Sequence, residues 1–72
     1  ISLRQDVSTR AALAWALAAN RQPHRAWEQF AAVLEMGFRD AVVFYRAGCV
    51  ADSLGRKAES RRLWQKSLDL NP

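Results

Sequence analysis

The feature that most constrains this chain is that it repeats itself. Laid against its own first half at an offset of 34 positions, the stretch ending at residue 72 returns the same skeleton: Ala14 meets Gly48, Ala26 meets Ser60, Phe30 meets Trp64, Leu34 meets Leu68, Glu35 meets Asp69, Met36 meets Leu70 and Gly37 meets Asn71. Small residues fall on small, aromatic on aromatic, and helix-stopping residues on each other. A helical period alone would align apolar residues at many offsets, but it would not align the punctuation. Self-similarity at one fixed spacing of about 20–50 residues marks stacked-repeat architectures.

Within each copy the pattern is helical. Arg10 to Ala19 is almost wholly alanine, leucine and tryptophan, residues that form helix well or adequately, and Ser8 or Thr9 offers a hydroxyl to cap its start. A helix so apolar all round is expected to be covered on more than one side. The run Asn20-Arg21-Gln22-Pro23 breaks it: asparagine tolerates the left-handed conformation that ends helices, and proline fits a first turn. A second helix then runs to about Met36, and Gly37 ends it. Asp40 is a candidate N-cap for a third helix, Ala41 to about Ser53; Leu54-Gly55 turns the chain, and a fourth helix follows from about Arg56 to Leu70. The β-prone run Val42 to Tyr45 is embedded in this helical pattern. The expected fold class is all-α, two stacked antiparallel helix-turn-helix hairpins.

The residues resemble the tetratricopeptide repeat, a helix–turn–helix unit with the pattern W-x2-L-G-x2-Y…A-x3-F…P. The second copy is similar at Phe44, Ala47-Gly48, Ala51, Ser60, Trp64 and Pro72, and its ending from Lys66 to Pro72 is especially so. The first matches at Leu13-Ala14, Leu17, Ala26 and Phe30, and departs at Arg10, Arg21 and Phe38, where an aromatic, a glycine and a proline are usual. The resemblance covers Val7 to Pro72. It implies a lead-in over 1–6, either an extra helical turn or the end of a preceding element, then one repeat over 7–40, a second over 41–72, and a right-handed α-solenoid fragment.

It also implies a function: binding a partner protein or peptide in a concave groove lined by one face of each first helix. That face carries Ser8, Ala11, Ala12, Trp15, Ala18 and Ala19 in one copy and Val42, Tyr45, Arg46, Cys49, Asp52 and Ser53 in the other. The groove candidates are Ala11, Trp15, Val42, Tyr45, Arg46, Cys49 and Asp52. Tyrosine, tryptophan and arginine dominate binding hot spots; the alternative for Trp15 and Tyr45 is packing against a neighbouring repeat. Repeats that hold chaperone tails carry a clamp of lysine, asparagine and arginine on this face. Here Ala11 and Trp15 take the first two clamp positions, so the groove suits an apolar or aromatic segment. Phe30, Phe44 and Trp64 are expected in the core, with Trp27 at an interface or the outer surface.

Other functions have less to draw on. His24 and Cys49 are the only histidine and cysteine; they supply a base and a thiol, but no orienting third group and no metal-ligand spacing. No glycine belongs to a phosphate-cradling loop. No cofactor is implied, and the chain does not read as an enzyme. Ala51 and Gly55 have helix-turn-helix spacing and the following helix is basic, yet Arg56 and Arg61 occupy positions that motif needs apolar. Net charge is +4, with seven acids among eleven basic residues, which reads as a mixed solvated face with nucleic acid as a lesser alternative.

Half the residues are hydrophobic, too many for disorder by composition, and no run of about 18 apolar residues spans a membrane. The lone Cys49 leaves the compartment open, with the cytoplasm slightly favoured. Because Ile1 is not an initiator methionine, the sequence is expected to be a piece of a longer protein. Two repeats fall short of the three or so that usually share a core, so Leu63 and Leu68 are expected to face a further repeat or a second copy.

Overall fold

The computed structural model describes residues 3–37 and 39–70, with side chains from Thr9 onward. Four helices account for most of them: α1 Leu3–Ala19, α2 Pro23–Glu35, α3 Ala41–Ser53 and α4 Lys57–Leu70. No strand occurs among the described residues, so the chain is all-α. It divides into two compact units, Ile1–Phe38 and Arg39–Pro72; α1 packs on α2 in the first and α3 on α4 in the second. The expectations placed on Phe38, Asn71 and Pro72 lie outside the described residues.

Two expectations for α1 are corrected. The helix begins at Leu3, so the lead-in from Leu3 onward is continuous with it as an additional helical turn, and Ser8 and Thr9 are interior residues rather than caps. Nothing between Leu3 and Arg10 breaks a helix: there is no glycine or proline, and leucine, arginine and glutamine form helix readily. Nor is α1 covered on several sides. From Thr9 to Ala19 only Ala14 is buried, while Thr9, Ala12, Leu13, Ala16 and Ala19 are exposed. Exposed alanines leave little apolar area in water, so a helix rich in them tolerates an open side.

The turns inside the two units share one backbone design. In the first, the Arg21 and Gln22 amides donate to the Ala18 and Leu17 carbonyls at 3.1 and 2.9 Å; in the second, the Gly55 and Arg56 amides donate to Asp52 and Ala51 at 3.1 and 2.9 Å. Each is a Schellman closure, in which paired amides satisfy the last free carbonyls of a helix around one left-handed residue. That residue is Gly55 (φ 80°) in one turn and Arg21 (φ 60°) in the other. Arg21, and not Asn20, therefore carries the left-handed strain.

The first unit is closed by Ala14, Ala26, Phe30 and Val33, each fully buried. In the second, Asp40 caps α3 as expected, its Oδ1 accepting from the Val42 and Val43 amides at 2.9 and 3.2 Å. Val43, Phe44, Ala47, Val50, Ala51 and Leu63 are its buried apolar residues. Gly48 lets α4 approach closely: a Cβ there would lie 2.5 Å from Cδ1 and Nε1 of Trp64. The indole Nε1 of Trp64 donates to the Tyr45 carbonyl at 3.2 Å, and the Ser67 hydroxyl donates to the Ala41 carbonyl at 2.7 Å. Trp64 itself is only half-buried, so it lies at the edge of this core rather than inside it.

Candidate docking face on the third helix

The chemistry of α3 is split cleanly around its axis. At 3.6 residues per turn the six buried residues, Val43, Phe44, Ala47, Gly48, Val50 and Ala51, occupy an arc of about 160°. The remaining arc carries Val42, Tyr45, Arg46, Cys49, Asp52 and Ser53, all exposed or half-exposed. Val42 is 51% exposed and Tyr45 55%, a large apolar and aromatic surface to leave in water. These positions recur at the three- and four-residue spacings that place side chains on one helical face.

The backbone beneath that face is well held. Trp64 grips the Tyr45 carbonyl from α4, the Ser53 hydroxyl donates to the Cys49 carbonyl at 3.2 Å, and Asp40 fixes the first turn. Asp52 pairs with Lys57 across the interhelical turn at 2.6 Å, which turns its charge toward the turn and away from the Tyr45 end. The face thus combines a phenol, a valine, a thiol and the Arg46 guanidinium on a braced helix.

The other expected groove residues belong to the first unit. Ala11 and Trp15 are both half-buried on α1, and Trp15 already takes part in a contact. The expected self-association pair separates: Leu68 is 59% exposed, whereas Leu63 is 7% exposed and belongs to the core. Leu63 is therefore withdrawn from any such face, because it lies on the side of α4 shared with buried Ser60. His24 is exposed and Cys49 half-buried. Among the described residues no three metal-ligating side chains gather, and no helix is long and apolar enough to cross a membrane.

No family model, curated protein or solved structure matches the chain. The likeness to the tetratricopeptide repeat therefore rests on the aligned residues alone.

Two features were not anticipated from the residues. A shallow hollow of about 300 Å³ lies in the first unit, lined by Thr9, Arg10, Leu13 and Gln29; the signal for it was Arg10 at a position where the aligned residue of the second copy is Phe44. The other is the charge distribution. Residues 39–72 hold seven basic and four acidic residues, so +3 of the +4 lies in the second unit.

Proposed function

We propose that the chain is a non-catalytic protein–protein interaction module of tetratricopeptide type, which docks an extended or helical segment of a partner. Tyr45 and Val42, with Arg46 beside them, would read the segment on α3. The observation that carries this reading is the exposed Val42–Tyr45 surface on a helix whose opposite arc is fully packed. Rigid aromatic anchors on a braced backbone lose little conformational freedom when they bind.

Selection of a displayed random-peptide library on the 72-residue chain tests the reading. Peptides should emerge whose binding weakens by roughly 30-fold or more on Tyr45→Ala, the loss expected of a hot spot worth about 2 kcal/mol. The variant should melt within a few degrees of wild type. Peptides indifferent to Tyr45→Ala, or a variant that unfolds, would refute the assignment.

A second reading, a structural or self-associating segment of a longer array, is favoured by one comparison. Leu13 is 50% exposed while its counterpart Ala47 is fully buried, and Leu68 is exposed while Leu34 is half-buried. Further hairpins, or a second copy, would cover such faces.

A further inference from the structure

We infer that the outer stripe of α4 is a second docking surface, meeting the α3 face at the Lys57–Asp52 pair, and that its occupant is an acidic amphipathic helix of another protein. At 3.6 residues per turn, Lys57, Arg61, Trp64 and Leu68 fall within about 60° of one another on α4. Leu68 is 59% exposed, half-buried Trp64 borders it, and Arg61 and Lys57 continue the stripe toward the start of the helix.

The cations of this stripe are only partly neutralised from within: Lys57 is paired with Asp52, and Arg61 is not paired among the described residues. Glu59 is engaged by Arg56 at 2.9 Å, and Asp69 accepts from the Gln65 amide at 3.1 Å. The surface therefore runs from positive charge at the start of the helix to an apolar end, and its complement is a helix with carboxylates at one end and leucine-like side chains at the other. A guanidinium takes a carboxylate in paired hydrogen bonds, and apolar residues at helical spacing seat a partner helix between them. A nucleic acid fits less well, because its backbone seeks a run of cations, and here Trp64 and Leu68 fill the C-terminal half of the stripe with Asp69 beside them.

Arg62 supplies the internal control. Like Arg61 it is exposed and without a partner among the described residues, but it lies about 100° further round the helix. The probe is a labelled synthetic helix of about 20 residues, long enough to hold its shape, with leucines along one face at one end and glutamates on the same face at the other. Its binding to the full chain is read by fluorescence anisotropy at about 0.15 M ionic strength, where non-specific attraction is screened beyond about 8 Å.

Arg61→Glu and Leu68→Ala should each weaken binding by about tenfold or more, and Arg62→Glu by less than about twofold. Circular dichroism should show all three variants folded, since each changes an exposed side chain. The inference is overturned if Arg61→Glu and Arg62→Glu weaken binding equally, which would report net charge alone. It is also overturned if a single-stranded RNA of like charge binds more tightly than the peptide, or if sedimentation shows the Leu68 stripe already covered by a second copy of the chain.

Discussion

Replacing Gly48 with alanine tests the close approach of α3 and α4 directly. In an exposed helix the change would stabilise by about 0.5–1 kcal/mol, because glycine loses more freedom on folding. Here the new methyl would sit 2.5 Å from two atoms of the Trp64 ring, well inside contact distance. The ring must move, at an overpacking cost of about 1–3 kcal/mol. Moving it also endangers the 3.2 Å bond from its Nε1 to the Tyr45 carbonyl, worth about 0.5–1.5 kcal/mol. The sum favours a net loss of about 2 kcal/mol, a fall in Tm of roughly 8–16 °C for a domain of this size. Thermal melts followed by circular dichroism read this out. In a Trp64→Leu background the same substitution should be neutral or stabilising, since residues in contact couple. A Gly48→Ala protein as stable as wild type, in the presence of Trp64, would refute the packing argument.

Three other substitutions follow from single residues. Arg21→Gly should raise stability by about 1 kcal/mol in urea titration, because a left-handed φ of 60° costs a side-chain-bearing residue about 1–2 kcal/mol, part of which returns as glycine entropy. Asp40→Ala should lower stability by about 1 kcal/mol through loss of the two capping bonds at the start of α3, with the melting of the whole domain as the measure. Ser60 is 1% exposed and its hydroxyl has no hydrogen-bond partner among the described residues; Ser60→Ala should therefore raise stability by about 1 kcal/mol, and a clear loss on calorimetry would contradict this.

The helices were legible because their boundaries are written in residues with one physical meaning. Asp40 caps, Gly37 and Gly55 accept positive φ, and Pro23 starts α2. The third helix falls on its expected residues, and the fourth starts one residue late. The start of α1 was less legible because serine and threonine serve as caps and also sit inside helices, and the residue letters do not choose between these roles. The positive φ went to Arg21 rather than Asn20 because the register of the turn overrode local preference. On α4, the shortage of repeats grouped Leu63 with Leu68, but Leu63 sits on the buried side with Ser60 and Leu68 on the open one. Such a distinction depends on which arc meets a neighbour, and one helix's sequence does not contain that neighbour. Val42 and Tyr45 were picked by repeat position, and both lie on the exposed arc.

The account depends most on the exposed arc of α3 being where a partner segment binds. Amide chemical shifts of the chain, followed by NMR while a selected peptide is titrated in, read that directly. The expected result is a saturable shift centred on Val42, Tyr45, Arg46 and Cys49 that is abolished by Tyr45→Ala. Shifts that leave α3 untouched, or that persist undiminished in the Tyr45→Ala variant, would contradict it.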